Sequence, residues 1–225
     1  MIDLLVKFPT RERPDRFRLA LSLLTIGCRH ADRVHYLFSL DEDDPMLTAN
    51  AKVIAASGIA SERYTVVVGR SAGKIHAVNR DIATFSKEWR SVLVASDDMH
   101  ATDAWDVWAC SAMREFHPDG DGMVWFFDGH QQDICTIPLL GRAYYDRHGY
   151  IYNPIYRSVF ADDEQTHQAK ALGRLTVLEH VIMRHDHPAW NSGLKPDDLY
   201  RRNETKAIWD ADHATYKDRL AAGFP

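Results

Sequence analysis

Two adjacent carboxylates, Asp97 and Asp98, follow an apolar run at 91–95. Side by side they repel each other unless a cation or hydrogen-bond donors hold them. A hard divalent ion such as Mn2+ or Mg2+ takes oxygen ligands of this kind and keeps substrate phosphate in its shell. Taken alone, the dipeptide reads as a solvated turn capping a helix over 104–116, since Asp is a preferred N-cap. Gly73-Lys74 stands at the start of another helical pattern, with Asn79 further along it. Free N–H groups and a positive charge at a helix start suit phosphate, although the G-x-x-x-x-G-K-[ST] pattern of a Walker loop is missing. Arg11 and Arg13 could clamp a diphosphate bidentately. Arg16 and Arg18 read instead as partners of Glu12 and Asp15 on a solvated face.

Four further groups belong to the same inventory. Asp41 opens an acidic stretch after an apolar run, where a carboxylate can accept hydrogen bonds from a base or ribose. Asp162-Asp163-Glu164 precedes a helical pattern over 165–172. An acid there can cap the helix or act as a general base toward an acceptor hydroxyl. In Arg184-His185-Asp186-His187-Pro188, His185 or His187 could complete the shell of an ion held by Asp98; a structural histidine is the competing reading. Asp128-Gly129, after the aromatic run 125–127, is a turn signal, and also the aromatic and acidic rim that a sugar pocket uses.

The elements that must position these groups are legible as a sequence of strand and helix patterns. Apolar runs over 2–8, 34–40, 64–68 and 91–95 read as strands, and helical periodicity is found over 14–28, 46–57 and 73–85. Four strand-then-helix units predict an α/β sheet, largely parallel. In such sheets ligands bind beyond the carboxyl ends of the strands. That rule selects 9–13, 41–44, 69–74 and 97–98, all rich in Arg, Asp, Gly or Lys, and this coincidence turns the reading of Asp97-Asp98 toward a ligand site. The second half carries short β-like runs over 123–127, 134–139, 150–152 and 175–183, then a polar helix within 197–222. One domain is expected, with a nucleotide-binding half over 1–100 and an acceptor-binding half over 101–225.

Composition narrows the function classes. Hydrophobic residues make up 45% and charged residues 26% of the chain, ordinary values for a globular domain with its own core. A net charge of −5 does not draw the chain to DNA or to an anionic membrane through its overall field. Cys28, Cys110 and Cys135 are far apart and in no C-x-x-C spacing, so neither a disulfide framework nor a zinc knuckle is expected. The amino terminus lacks the charge order of a signal peptide and no 18-residue apolar run occurs, which points to a cytoplasmic protein without a membrane partner.

The residues also match a family pattern. Val6-Lys7-Phe8-Pro9-Thr10-Arg11, Ser39-Leu40-Asp41, Gly73-Lys74-Ile75-His76-Ala77-Val78-Asn79, Val94-Ala95-Ser96-Asp97-Asp98-Met99, Phe127-Asp128-Gly129, Ala161-Asp162-Asp163-Glu164 and His185 come in one order over most of the chain. In that order they resemble GT-A fold glycosyltransferases of the family 2 type, particularly short bacteriophage-like members. The resemblance implies a Rossmann-like mixed, mostly parallel sheet flanked by helices. It also implies transfer of a sugar from a nucleotide-sugar, a UDP-sugar by preference, to an acceptor hydroxyl with inversion. Pro9, Thr10, Arg11, Arg13, Asp41, Lys74, Asn79 and Asp97 would bind the donor, and Asp98 with His185 the Mn2+ or Mg2+. Asp128 and Gly129 would meet the acceptor. Asp163 matches the family's base, with Asp162 or Glu164 as alternatives, because this chain reads Asp-Asp-Glu where Glu-Asp is usual. A glycan, a small molecule or a hydroxymethylated pyrimidine of phage DNA are the acceptors considered, the last through a patch of Arg142, Arg147, Arg157 and His148. A metal-dependent nucleotidylyltransferase and a catalytically silent nucleotide-binding module are the rival readings.

Overall fold

The computed structural model describes residues 1–188 and 190–224. Its central sheet has seven strands in the order β3-β2-β1-β4-β7-β6-β8. The four amino-terminal strands, β1 (Ile2–Thr10), β2 (Val34–Asp41), β3 (Tyr64–Gly69) and β4 (Trp89–Val94), run parallel. Every residue of β2 is buried, as a parallel strand covered on both faces requires. Next to β4 the direction reverses. β7 (Pro138–Gly141) is antiparallel to both β4 and β6 (Met123–Phe126), and β8 (Leu175–Leu178) closes the far edge parallel to β6.

Alternation along the strands feeds two cores. Leu4, Val6 and Phe8 of β1 face α1 (Pro14–Gly27), α2 (Leu47–Ala55) and α4 (Trp105–Phe116). Leu5 of β1 lies on the other face, with α3 (Lys74–Asn79), α5 (Arg142–His148) and α6 (Ala161–Ala171). Pro14 starts α1, where its fixed φ and missing N–H cost nothing, and Phe17, Ala20, Leu21 and Leu24 form the buried stripe. α1 packs so closely on the segment after β4 that a Cβ on Gly27 would stand 2.5 Å from the Thr102 carbonyl oxygen, so only glycine fits.

Several boundaries differ from the sequence expectation. The helix expected over 73–85 stops at Asn79, because Arg80 turns to an extended backbone and Asp81 then takes a positive φ. Residues 150–152 form no strand; they are a loop pinned by Asn79. The run 175–183 splits into β8 and β9 (Met183–His185), and β9 pairs antiparallel with β5 (Met99–Ala101) in a separate ribbon. Because β5 intervenes, Asp97-Asp98 does not cap α4. The terminal polar helix is two helices, α7 (Asp198–Asn203) and α8 (Lys206–Ala221). Among the described residues no helix is long and apolar enough to cross a membrane.

Candidate active site

Parallel pairing brings the ends of four strands to one edge. Thr10 lies beside Leu40, Asp41 beside Gly69, and Lys7 beside Val94, so the four loops selected by the strand-end rule converge. They enclose a cleft of about 400 Å³. Pro9, Thr10, Arg11, Arg13, Asp41, Lys74, Asp97, Asp98, Asp162 and His185 all line it. Asn79, Asp128, Gly129, Asp163 and Glu164 do not.

At the β2 end, Asp41 accepts a hydrogen bond from Ser71 and lies 3.2 Å from the Arg11 guanidinium. Arg11 also donates to Asp43. Arg13 holds Asp97 at 3.1 Å and makes a bidentate pair with Asp197 at 2.6 and 2.7 Å. Both guanidinium groups line the cleft and are paired with carboxylates there. Lys74, half exposed at the start of α3, has its nearest carboxylate, Glu204, at 3.9 Å. It is the less tightly held cation of the cleft. Residues of α7, among them Tyr200 and Arg202, also line the cleft, and Arg202 reaches back to Glu12 at 2.6 Å.

Beneath this end lies Lys7, fully buried in the β1 face that otherwise carries Leu5. Its ammonium donates to Ser39 and to the Arg80 carbonyl oxygen at 2.8 Å, and Asp81 stands 3.8 Å away. Burial outweighs the Asp81 charge and lowers its pKa to about 7, because desolvation disfavours the charged form.

The β5–β9 ribbon sets the next constellation. Met99 pairs with His185, and the Asp98 carbonyl accepts the Asp186 N–H at 2.8 Å. His185 Nε2 is then 3.6 Å from the Asp98 carboxylate, and its Nδ1 is 3.5 Å from Asp128. Burial alone would lower the imidazole, but the two facing carboxylates, Asp128 and Asp98, prevail and raise it to about 9. Burial and the charge of Asp98 push Asp97 up. For Asp98 itself, burial is outweighed by His185 and Ser96, which hold it below the usual carboxylate range. Asp128 is turned inward instead of onto a rim. It accepts the N–H groups of His130 and Gln131 and the Thr136 hydroxyl at 2.7–2.8 Å, so it orients the histidine and presents nothing to an acceptor. Gly129, at φ +97, supplies the turn.

A carboxylate beside an imidazole that a second carboxylate orients is a donor set suited to a divalent cation, with further positions left to substrate oxygens. Asp98 and His185 meet that description on the cleft wall. Among the described residues no group of three or more His, Cys, Asp or Glu side chains gathers into a metal cage.

The three acids of α6 separate by helix geometry, successive residues being turned by about 100°. Asp162 faces the cleft with Ala161. Asp163 lies off the cleft lining, on the side where its charge reaches His167 and Tyr216. Glu164 is fully buried and accepts from Arg219 at 2.7 and 2.8 Å, Tyr156 at 2.7 Å and Asn153 at 2.7 Å. It joins α6 to α8, a structural task. Burial raises Asp162, and burial with the neighbouring Asp162 charge raises Asp163 to about 6.

Asn79 also turns away from the cleft. Its carbonyl oxygen accepts the N–H groups of Ile151 and Tyr152, and its amide donates to the Tyr152 carbonyl. Ser71, Thr136, Ser158 and residues of α7 line the cleft without having been singled out in the sequence; small hydroxyls and a short polar helix carry no distinguishing pattern. In the basic patch considered for a DNA acceptor, Arg142 pairs with Asp146 and Arg147 with Asp121, which neutralises much of its charge.

The mixed seven-stranded sheet with helices on both faces is the GT-A architecture. Among solved structures the chain is similar to S. aureus TarS 1–349, with a TM-score of 0.62, 15% identity and 83% of this chain matched to 61% of that one. It is similar as well to the mannosyltransferase PcManGT from Pyrobaculum calidifontis in complex with GDP-Man and Mn2+, at TM-score 0.63, 12% identity, 84% of this chain and 58% of that one. TarS 1–349 in complex with UDP-GlcNAc matches 99% of this chain over 71% of its own, at TM-score 0.62 and 14% identity. At these identities the likeness is one of fold. No family model matches the chain, and no curated protein matches it in sequence.

Proposed function

We propose that the chain is a metal-dependent glycosyltransferase that moves a sugar from a nucleotide-sugar, a UDP-sugar by preference, to an acceptor hydroxyl with inversion. The observation that carries this is the convergence of Asp41, Lys74, the Asp98–His185 pair and Asp162 on one cleft beyond the strand ends. The structures of similar fold that hold UDP-GlcNAc, or GDP-Man with Mn2+, support a donor of this class.

In this reading Asp41, steadied by Arg11 and Ser71, accepts hydrogen bonds from the base or ribose. Arg13 keeps Asp97 in place, and Lys74 meets the diphosphate. Asp98 and His185 would hold Mn2+ or Mg2+, which when bound neutralises charge on the leaving nucleoside diphosphate. Asp162 takes the proton of the acceptor hydroxyl, whose oxygen bonds to the anomeric carbon as the bond to the phosphate oxygen breaks. The raised pKa of Asp162 makes it a stronger base than an exposed carboxylate. Geometry therefore favours Asp162 over Asp163 for this role, and Glu164 is assigned to the scaffold.

The test is release of nucleoside diphosphate from a panel of UDP- and GDP-sugars in Mn2+, followed by transfer to candidate hydroxyl acceptors. Metal-dependent release from one donor is the expected result. No release from any donor, or release of pyrophosphate from a nucleoside triphosphate and a sugar phosphate, would overturn it.

A further inference from the structure

The acids of α6 are preceded by the segment 157–160, and α8 holds that segment from two sides. Asp212, buried on α8, accepts the N–H groups of Arg157, Ser158 and Val159 at 2.9–3.2 Å. Phe160, at φ +64, stacks on His213 and Tyr216 and meets Trp209 edge-on. A bulky residue in the left-handed region persists only where its surroundings fix it. With three consecutive amides taken by one carboxylate, the side-chain polar group this segment presents to the cleft is the Ser158 hydroxyl, since the exposed Arg157 is not part of the lining.

Ser158 lines the cleft and is 5% exposed, and its hydroxyl is buried without a hydrogen-bond partner among the described residues. Buried hydroxyls in native proteins are nearly always paired, so an orphan on a cleft wall marks a place where a ligand supplies the partner. The neighbourhood identifies that ligand. The Arg157 carbonyl oxygen lies 3.5 Å from where a Cβ on Gly73 would stand, so the segment abuts the start of α3, beside Lys74. Four residues further along the chain is Asp162. A group next to Ser158 therefore lies between the cation proposed for the diphosphate and the base proposed for the acceptor, which is the position of the transferred sugar.

We propose that the Ser158 hydroxyl hydrogen-bonds a ring hydroxyl of the donor's sugar and thereby selects the sugar, and that Asp212 is the positioning residue that holds it there. This rests on the donor reading above. A site built to pair a hydroxyl rejects analogues that lack it, because its own polar group is left buried and unpaired.

The experiment is calorimetric binding, in Mn2+, of the nucleoside diphosphate alone, of the nucleotide-sugar that the wild type turns over, and of its single-deoxy analogues. Ser158→Ala should leave affinity for the nucleoside diphosphate unchanged and weaken the nucleotide-sugar by about tenfold. One deoxy analogue should show the same loss with the wild type and none further with Ser158→Ala. Ser158→Thr, which keeps the hydroxyl, should restore the preference. In Asp212→Asn the sugar preference should fall while the diphosphate still binds; a folded Asp212→Asn with its preference intact overturns the positioning role. Equal losses for diphosphate and nucleotide-sugar, or no loss for either in Ser158→Ala, overturn the proposal while leaving the donor reading standing. A wild type that binds no nucleotide overturns both.

Discussion

Replacing Glu164 by alanine removes a buried carboxylate that accepts from Arg219, Tyr156 and Asn153. Breaking a buried ion pair from one side costs about 3–5 kcal/mol, because the donors lose their acceptor in a site that water reaches poorly. Arg219 keeps some exposure, so the lower end, about 3 kcal/mol, is the better figure. For a chain of this length that corresponds to a fall in Tm of about 6–12 °C. The pH dependence gives a second readout. Burial tends to raise the Glu164 pKa, but the hydrogen bonds from Arg219, Tyr156 and Asn153 lower it on balance. A carboxyl depressed in the folded state stabilises above its unfolded value, about 4.3, and that stabilisation is lost as pH falls below it. The Tm gap between wild type and Glu164→Ala should therefore be full at pH 7 and shrink below about pH 4.3. Thermal denaturation measures the gap, and donor turnover at 20 °C measures the chemistry. The structural assignment predicts a lower Tm with kcat of the folded enzyme unchanged. An unchanged Tm with kcat reduced by about a hundredfold or more would refute it and return Glu164 to the role of base.

Asp162→Asn should retain donor binding and lower kcat by about 10²–10⁴-fold, whereas Asp163→Asn should affect kcat far less; steady-state kinetics with the inverse ranking would exchange their roles. Because burial raises the Asp162 carboxyl, transfer should decline as pH falls while still above the usual carboxylate range. Lys7, held near 7 by burial, binds fewer protons folded than unfolded between pH 7 and about 10.4, so it makes stability rise with pH there. Tm of the wild type relative to Lys7→Met should climb from pH 7 to 9, and a flat difference would contradict the buried neutral amine. Asn79→Ala leaves the Ile151 and Tyr152 amides without their acceptor and should cost about 1–3 kcal/mol in chemical denaturation; an unchanged midpoint would show that the loop does not depend on it.

The first four strands and the loops after them were legible because their physics is local. Apolar runs over 2–8, 34–40, 64–68 and 91–95 announce strands, the third a half-exposed edge, and parallel pairing then obliges their carboxyl ends to share an edge. Pro9, Arg11, Asp41, Lys74 and Asp98 reach the cleft for that reason alone. What the chain order did not disclose is pairing between distant segments. The pairing of β7 with β4, and the β5–β9 ribbon that brings His185 to Asp98, depend on contacts across roughly forty to ninety residues. Polar residues that serve the backbone were also hidden. Asn79, Asp128 and Glu164 have the same side chains as ligand-binding residues, but they face inward to satisfy buried amides and an arginine. Which way such a residue turns is decided by helix phase and by the partners the fold brings near. Neither can be read at a single position.

In the proposed function one cleft binds a nucleoside diphosphate through a divalent cation held by Asp98 and His185. Calorimetric titration of UDP and GDP into the wild type and Asp98→Ala, each in Mn2+ and in EDTA, tests it most directly. Binding of one diphosphate by the wild type in Mn2+, lost in EDTA and lost in Asp98→Ala, is the predicted result. Binding that persists in EDTA and in Asp98→Ala would contradict the metal site, and binding of neither diphosphate under any condition would contradict the proposed function.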